Sequence, residues 1–281
     1  MRKLLRLIKN FLICLKTGSK PIQVSVSQIV YEKMFEEKHI LVTGGTSGIG
    51  LEIAKKFLSL GAKVTITGRN IDKLNAIKKE IQNESLFVTE WDISSTNIID
   101  EKVDEIIEKM GKIDILINNS GIYAPNNFFN TDEKLFDEIM NTNLKGLFFT
   151  SKKIAEYFIK NSIEGKIINI SSVRSIQGGA EPYGISKWGV RGLTQGLARD
   201  LIKYGIVVNA VAPGITATGI NGINIEKNAY TSSSLDKRVA IPQEIAEIVI
   251  FLSSSASNHI IGQTIVCDGG ETLIWFIYLH L

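Results

Sequence analysis

Tyr183 and Lys187 are the two residues whose types and spacing most clearly suggest chemistry in this chain of 281 residues. If their segment is helical, side chains four residues apart project from one face, about one turn apart. A cation about 5 Å from a phenol, at an effective dielectric constant near 20, stabilises the phenolate by about 3 kcal/mol and lowers its pKa by about two units. Tyr183 could then act as an acid and a base near neutral pH. The alternative is an exposed aromatic residue and a lysine on an ordinary amphipathic helix.

The elements that must position this pair follow a regular pattern from residue 38 to residue 272. Buried strands alternate there with polar-faced helices, which is typical of an α/β doubly wound parallel sheet. We expect a single domain with three α/β/α layers and about seven parallel strands. The fifth predicted strand, GKIINIS, brings Ser171 and Ser172 to the carboxyl edge of the sheet, where ligands of such folds bind. A helix predicted from Tyr183 to Tyr204 follows it.

A glycine-rich turn separates the first predicted strand, HILVT, from a helix that runs through Leu60. Such a turn lets the backbone approach a pyrophosphate, whose charge is met by the N-terminus of the helix. The turn is not a P-loop, because its sequence lacks the Lys-Ser/Thr pair of that motif. It therefore predicts a dinucleotide-binding, Rossmann-type site. The residues expected to contact the cofactor are Gly44, Thr46, Ser47, Gly48, Ile49 and Gly50.

The residues after the second strand bear on the choice of cofactor. An acidic residue at this position would bind both ribose hydroxyls of NAD, and none is present after strand AKVTITG. Arg69 follows instead and could pair with the 2′-phosphate of NADP. We therefore expect NADP(H) in preference to NAD(H), with a solvated loop arginine as the alternative. The third predicted strand, SLFVTEWDI, ends at Asp92, which is placed to reach the adenine edge.

Polar side chains at the fourth strand and in the next helix complete the predicted site. Asn118, Asn119, Ser120 and Gly121 end strand four at the same carboxyl edge. Asn143 lies in the following helix among apolar residues. A buried amide needs partners, so Asn143 either takes part in a catalytic water network or makes an ordinary core hydrogen bond.

The composition excludes several other classes of protein. Charged residues make up 22% of the chain and hydrophobic residues 44%, which is an ordinary globular balance. The two cysteines, Cys14 and Cys267, are far apart and do not cluster with the three histidines, so we expect neither a metal site nor a disulfide framework. A reducing, cytoplasmic compartment fits this usage.

Four segments lie outside the predicted sheet. Residues 1–20 are predicted to form a basic, amphipathic helix, and residues 21–37 a linker. Residues 219–240 are polar and lack clear periodicity, which suits a lid over a substrate. Residues 273–281 form an apolar tail, too short to span a bilayer, that we expect at a subunit interface.

The basic charge of the chain is concentrated at its N-terminus. The first twenty residues carry six basic residues and no acidic one, so the rest of the chain has a net charge of −3. A nucleic-acid surface on the main domain is therefore not expected. Residues 2–16 place apolar side chains on one side and basic ones on the other. This helix would lie on the anionic inner face of a membrane, dock on a partner, or pack against the protein's own surface or subunit interface.

Taken together, the motifs from residue 38 to residue 272 resemble those of the short-chain dehydrogenase/reductase family, in its classical type. Each motif is weak alone, but their joint occurrence in this order is highly specific. They are TGGTSGIG from Thr43 to Gly50, Asp92-Ile93, NNSG from Asn118 to Gly121, Asn143, Ser172, YGISK from Tyr183 to Lys187, and PGITAT from Pro213 to Thr218.

The resemblance implies a catalytic role for Asn143, Ser172, Tyr183 and Lys187. Tyr183 would donate a proton to a carbonyl oxygen that Ser172 hydrogen-bonds, while NADPH delivers hydride to the carbon. Lys187 would lower the pKa of the phenol and bind the nicotinamide ribose, and Asn143 would position a water that relays protons to Lys187. The remaining cofactor contacts implied are Ile93, Asn119, Ser120, Gly121, Pro213, Gly214, Thr216 and Thr218.

The resemblance also implies a range of substrates and assemblies. The most familiar relatives reduce 3-oxoacyl groups on an acyl-carrier protein, and others act on sugars, polyols and steroids. The basic N-terminal helix adds the hypothesis of a lipid or glycan precursor at a membrane surface. A homodimer or homotetramer is expected, through the helices that bear Asn143 and Tyr183. The competing class is a non-catalytic NADP-binding protein, which would not need all four residues of the catalytic set.

Overall fold

The computed structural model describes residues 34–219 and 230–274. They form one seven-stranded, wholly parallel sheet with strand order β3-β2-β1-β4-β5-β6-β7 and helices on both faces. The predicted single-domain α/β/α architecture and its number of strands are therefore confirmed. The strands are β1 (His39–Val42), β2 (Lys63–Gly68), β3 (Leu86–Glu90), β4 (Ile115–Asn118), β5 (Lys166–Ile170), β6 (Val207–Pro213) and β7 (Thr264–Cys267).

Nine α-helices connect or follow these strands in the described part of the chain. A single π-helical segment, Asn141–Gly146, continues one of them. The helices are α1 (Gly48–Ser59), α2 (Ile71–Ile81), α3 (Ile99–Met110), α4 (Glu133–Met140), α5 (Leu147–Lys160), α6 (Arg174–Gln177), α7 (Pro182–Leu201), α8 (Pro242–Ser253) and α9 (Glu271–Ile274).

Two hydrophobic cores cover the two faces of the sheet, because successive side chains of a strand point to opposite sides. Ile40 and Val42 of β1 face the layer of α1, α2 and α8, whereas Leu41 faces the layer of α3, α5 and α7. Phe57 in the first layer and Phe158 in the second are fully buried. Strands that are buried on both faces have continuous apolar sequences, which explains why these strands could be predicted from the sequence.

The strand order places a crevice between β1 and β4. The chain winds outward from β1 through β2 to β3, and then crosses back to continue from β4 on the other side. At such a switch point the loops after the two strands diverge and leave a groove at the carboxyl edge. The turn after β1 and the segment after β4 both end in this groove.

Some element boundaries differ from those predicted. Strand β3 ends at Glu90, so Asp92 lies in the loop beyond it. Helix α7 begins at Pro182, which suits the first helical position, and gives way to a 3₁₀ turn after Leu201. The packed fold also begins before residue 38, because Phe35 is buried against Phe57 with their ring centres 4.9 Å apart.

Several predicted segments fall outside the described residues. They are the N-terminal helix, the linker up to residue 33, lid residues 220–229 and tail residues 275–281. In residues 230–240, the rest of the predicted lid, Tyr230 forms a short bridge with Arg238 of the same segment, and Ala240 forms one with Thr216 in the loop after β6. Across the described ranges, helices long and apolar enough to cross a bilayer are absent.

Candidate active site

Tyr183 lies in the first turn of α7 and faces the end of β5. Its partly buried side chain is hydrogen-bonded by Ser172, which directly follows that strand. The ring of Tyr123 meets the Tyr183 ring edge-on, with 5.2 Å between their centres. Burial raises the pKa of the Tyr183 phenol above its usual value of 10, and the Ser172 hydrogen bond opposes this increase. The phenol is therefore held in its protonated form near neutral pH.

The pKa of Tyr183 is shifted in the opposite direction from the one that the sequence predicts. The four-residue spacing predicts that the charge of Lys187 lowers the pKa of Tyr183. The Lys187 Nζ atom lies 5.6 Å from the centre of the Tyr183 ring, which is the expected separation. Burial nevertheless raises the pKa of the Tyr183 phenol and lowers that of Lys187, because removal from water disfavours the charged form of each group.

Lys187 is buried, and its ammonium group has a defined partner. Its Nζ donates a hydrogen bond of 2.9 Å to the backbone carbonyl of Ile170. Ile170 is the last residue of β5. Burial lowers the pKa of Lys187 from 10.5 to about 8. The side chain is thus fixed beneath the edge of the sheet and can change its charge within an accessible pH range.

Asn143 reaches this site from the π-helical segment. Its Oδ1 accepts a hydrogen bond from the backbone N–H of Ile122 at 2.8 Å, and its Nδ2 donates to the Ile122 carbonyl at 3.0 Å and to Ser186 Oγ at 3.3 Å. These contacts are the core hydrogen bonds that the sequence left as one alternative. Single π-helical turns often occur at functional sites, because they redirect side chains out of the α-helical register.

Gly121 sits between Asn143 and Lys187. A Cβ atom added there would lie 3.5 Å from Asn143 Oδ1 and 3.7 Å from Lys187 Nζ. The absence of a side chain keeps the space between these two polar groups free. The structure thus brings Ser172, Tyr183, Lys187 and Asn143 together at the end of β4 and β5.

A buried polar network supports this arrangement from below. Asn118 Nδ2 at the end of β4 donates to Ser151 Oγ of α5 and to Asn169 Oδ1 of β5, both at 2.8 Å. Asn169 Nδ2 donates in turn to Thr194 Oγ1 of α7 at 2.9 Å. The network ties two strands to the helix that carries Tyr183. Sequence reasoning placed Asn118 at the ligand edge and missed this structural role.

The turn after β1 has the geometry of an anion cradle. Gly44 and Gly48 adopt φ values of +67° and +55°, which side chains disfavour. Ser47, the N-cap of α1, makes no side-chain capping bond, so the first backbone N–H groups of α1 remain available to a bound phosphate. These features fit the pyrophosphate of a dinucleotide.

Asn119 and Ser120 hold this cradle in place. The Asn119 Nδ2 donates to the carbonyls of Thr43 and Gly44 at 3.1 and 2.8 Å, so its amide braces the turn. A Cβ at Gly44 would lie 2.8 Å from the Cα of Ser120. The loops after β1 and β4 are therefore in direct contact across the switch point.

The residues predicted to contact the adenosine end lie along the neighbouring loops. Arg69 is exposed and directly follows β2. The adjacent Gly68 packs against the cradle, since a Cβ added there would lie 2.6 Å from Thr46 Cγ2. Asp92 is partly exposed, and its Oδ1 accepts hydrogen bonds from the backbone and hydroxyl of Ser94 at 3.0 and 2.7 Å. Ile93 is buried and packs towards the π-helical segment at Gly146.

The loop after β6 closes the other side of the cradle. Pro213 ends β6, and Gly214 donates its N–H to the carbonyl of Cys267 at 2.9 Å. Thr216 is buried, with its hydroxyl donating to the Gly214 carbonyl at 3.0 Å. A Cβ at Gly48 would lie 3.1 Å from Thr218 Cγ2, so this loop touches the turn after β1.

A cavity of about 580 Å³ opens beside Tyr123, the residue whose ring contacts that of Tyr183. Residues of the segment between Ser172 and Tyr183 form one wall, and the loop after β4 forms the opposite wall, which sequence reasoning missed. The sequence signal for that opposite wall was the pair of aromatic residues Phe128 and Phe129, which directly follows the capping residue Asn127. Oδ1 of Asn126 is buried and lacks a hydrogen-bond partner within the described residues. The lining residues are Tyr123, Asn126, Asn127, Phe128, Phe129, Arg174, Ala180 and Glu181.

Known proteins share this arrangement of fold and sequence. Residues 38–229 match the model of the short chain dehydrogenase family. The chain belongs to this family. It is therefore an oxidoreductase with a nicotinamide cofactor and small-molecule substrates, as the motifs led us to expect. Clusters of side chains suited to a metal ion are absent from the residues that the structure describes.

Individual relatives cover most of the chain. Gluconate 5-dehydrogenase of Gluconobacter oxydans is 34% identical, over 83% of this chain and 94% of that protein. The 3-oxoacyl-(acyl-carrier-protein) reductase of Thermotoga maritima is 35% identical, over 84% of this chain and 98% of that protein. The solved structure of a 3-ketoacyl-(acyl-carrier-protein) reductase from Brucella melitensis, complexed with NADH, has a TM-score of 0.78 at 30% identity and covers 84% of this chain and 99% of its own.

Proposed function

We propose that this protein is an NADP(H)-dependent oxidoreductase that interconverts a carbonyl group and a secondary alcohol, with Tyr183 as the general acid and base. The observation that carries the proposal is the convergence of Tyr183, Ser172 and Lys187 at the carboxyl edge of the sheet, beside the turn that fits a pyrophosphate. A protein that only bound the cofactor would have no use for a buried phenol paired with a buried amine.

The proposed mechanism gives each side chain a defined task. A nicotinamide cofactor held by the glycine-rich turn after β1 would supply hydride to the carbonyl carbon of the substrate. Tyr183 donates its phenolic proton to the carbonyl oxygen as that oxygen gains electron density, and the Ser172 hydroxyl hydrogen-bonds the same oxygen. The phenolate that remains is stabilised by the nearby ammonium of Lys187 and is reprotonated through it. Asn143 fixes the backbone at Ile122, next to Lys187, through two hydrogen bonds.

The preference for NADP(H) rests on Arg69. It is the exposed residue directly after β2, next to the cradle, and an acidic side chain that would repel a 2′-phosphate is missing there. Its guanidinium could pair with the phosphate in a bidentate manner. NAD(H) is the alternative cofactor.

The relatives support two classes of substrate. A 3-oxoacyl-type compound follows from the acyl-carrier-protein reductases, and a sugar or polyol derivative follows from gluconate 5-dehydrogenase. A glycan precursor at a membrane surface is the second candidate, favoured by the basic, amphipathic residues 2–16. The proposed location is the cytoplasm, with this segment as a peripheral contact.

The test is a carbonyl reduction assay with NADPH and NADH, performed on the full chain and on Arg69→Ala. We expect NADPH to be the better cofactor, and Arg69→Ala to weaken NADPH binding about tenfold or more while NADH changes little. Arg199→Ala is the matched control, since Arg199 is exposed and pairs with Asp200 on α7. Equal losses for both cofactors would remove the phosphate role of Arg69, and no reduction of any carbonyl would contradict the proposed activity.

A further inference from the structure

Arg174 places a positive charge in the wall of the cavity beside Tyr123. It lines the 580 Å³ cavity together with Tyr123, whose ring contacts Tyr183. Its charge is close enough to Tyr183 to lower the pKa of that phenol, against the larger effect of burial. Its backbone N–H donates to Ser172 Oγ at 3.2 Å, so the residue is also fixed relative to the proposed oxygen-binding serine.

Glu181 holds the Arg174 side chain through one edge only. Nε and Nη2 of Arg174 donate to the same oxygen, Oε1 of Glu181, at 3.1 and 2.7 Å. A guanidinium carries five N–H groups, so this pair uses two of them. The Nη1 end has no hydrogen-bond partner among the residues that the structure describes. The pair therefore orients the guanidinium and leaves donors for a further acceptor.

The two charges of this pair are not equally accessible. The Glu181 side chain is 13% exposed and the Arg174 side chain 36%. The Glu181 carboxylate lies against the backbone of Gly179 and Gly184, where an added Cβ would come within 3.0 Å of its oxygens. These are the only charged residues that line the described cavity. The guanidinium is therefore the more accessible of the two charges, and Glu271 is a further carboxylate close enough to feel its charge.

We infer that Arg174 binds an anionic group carried by the substrate itself, so that the carbonyl compound reduced at Tyr183 is an oxo acid. This inference rests on the proposed function and names its substrate class. A carboxylate can accept two parallel N–H bonds from the free end of a guanidinium, and such charge-assisted bonds are about twice as strong as neutral ones. The aromatic side chains of Tyr123 and Phe128 would cover the part of the substrate's carbon chain between its carbonyl group and its anionic group.

The inference is tested with oxo acids and their methyl esters, which differ in charge at one end only. The probes are 3-oxobutanoate, 4-oxopentanoate and 5-oxohexanoate, each with its methyl ester, assayed with NADPH. For the chain length that fits, we expect kcat/KM for the acid to exceed that for the ester by about tenfold or more. Esters reduced as well as acids at every length would overturn the inference.

Substitutions assign the effect to Arg174. In Arg174→Gln the ratio of acid to ester should fall to about one, mainly through KM for the acid, and Arg174→Lys should keep part of it. The ratio within one variant is the readout, so a general loss of activity does not obscure it. Arg191→Gln is the matched control, because Arg191 also touches α6, through the Ser175 carbonyl at 3.1 Å, but does not line the cavity. A ratio unchanged in Arg174→Gln would contradict the inference.

A binding measurement separates this inference from the proposed function. The same acids and esters are titrated calorimetrically into Tyr183→Phe loaded with NADPH, where turnover is not required. Tighter binding of the acid, lost in the Tyr183→Phe/Arg174→Gln double variant, supports the anion site even if the assigned proton donor is wrong. Equal dissociation constants for acid and ester would overturn it even if Tyr183 proves to be the donor.

Discussion

At the scale of single residues, burial controls the charges around the proposed hydride-accepting carbon. Tyr183 keeps its proton because its phenol is desolvated, and Lys187 loses its proton more easily for the same reason. An acid that stays protonated is suited to reduction of a carbonyl. A lysine that can be neutral is suited to receive and return a proton.

The pKa of Lys187 predicts a pH dependence of the reaction. The value is lowered from 10.5 to about 8, so the ammonium is intact below pH 8 and is lost as the pH rises through 8. We expect kcat/KM for carbonyl reduction to be level from pH 6 to about pH 8 and then to fall about tenfold per pH unit, as for loss of one proton. Steady-state kinetics measure this profile, because the pH dependence of kcat/KM reports the ionisation of groups in the free enzyme.

A charge-preserving variant provides the control for this profile. In Lys187→Arg the guanidinium stays protonated throughout the range, so the decline near pH 8 should disappear, whatever the absolute rate. A wild-type profile that stays level to pH 9.5, or a decline that persists unchanged in Lys187→Arg, would show that Lys187 is not the group that titrates.

The sequence located these residues, but it could not supply their environment. Tyr183 and Lys187 were predicted from their spacing and from the motifs around them, and the structure places them together. The direction of the Tyr183 pKa was wrong, because spacing along a helix indicates proximity but not desolvation. Tyr123 was missed as a cavity residue because it lies in the loop after β4, where no periodicity indicates which way a side chain points.

At the scale of elements, hydrogen bonds between buried amides and hydroxyls fix the ends of β4 and β5 against α5 and α7. Asn118, Ser151, Asn169 and Thr194 are each at most 2% exposed. Asn169 is the central member, since it accepts from Asn118 and donates to Thr194. A shift of this network would move α7 and Tyr183 relative to Ser172.

Loss of the central amide should therefore destabilise the fold. Asn169→Leu leaves an Asn118 N–H and the Thr194 hydroxyl without this partner in the core, which should cost about 2–3 kcal/mol. Thr194→Val removes only one end of the network and should cost about 1–2 kcal/mol. Urea denaturation followed by circular dichroism measures both. A free energy of unfolding within 0.5 kcal/mol of wild type for Asn169→Leu, on the order of an ordinary surface substitution, would show that the network is not stabilising.

Most elements could be predicted because their sequences carry strong local signals. The strands are apolar runs, and the helices begin at residues such as Pro182 and Pro242 that are suited to the first helical turn. The π-helical segment at Asn143 could not be predicted as such. Its only sequence signal is a polar residue among apolar ones, which is equally compatible with a satisfied amide in a regular α-helix.

At the scale of the whole molecule, α4, α5 and α7 expose large apolar side chains on the described surface. Phe136, Phe148, Phe149, Ile185 and Trp188 are each about 40% exposed. Helix α4 packs on α7, and the π-helical segment links α4 to α5, so these side chains belong to neighbouring elements. We propose that a second copy of the chain covers them in a homodimer or homotetramer.

A charge placed on this surface should weaken assembly. Trp188→Glu would replace an apolar ring of the interface by a carboxylate that loses its hydration there, so we expect its molar mass, measured by light scattering after gel filtration, to shift towards the monomer at low micromolar concentration. Phe129→Glu is the matched control, since Phe129 is 95% exposed at the rim of the cavity. A wild-type chain that is already monomeric, or Trp188→Glu with an unchanged mass, would contradict the proposed interface.

The overall architecture could be predicted because alternating strands and helices permit few arrangements of a parallel sheet. The strand order and the crevice between β1 and β4 follow from those connections. The shape of the substrate cavity does not, because it depends on how the loops after β4 and β5 approach each other across about ten residues of irregular backbone. The charge pattern of residues 2–16 remains a prediction about membrane contact, outside the described residues.

The most direct test of the central claim is the reduction of a carbonyl substrate by Tyr183→Phe. The substitution removes one oxygen atom and the proton it carries, and it leaves the ring that contacts Tyr123 in place. We predict that the rate of NADPH oxidation falls by about 100-fold or more while the thermal unfolding midpoint stays close to that of wild type. Tyr204→Phe, at the exposed end of the same helical segment, should retain wild-type activity. Wild-type rates in Tyr183→Phe would contradict the assignment of Tyr183 as the proton donor.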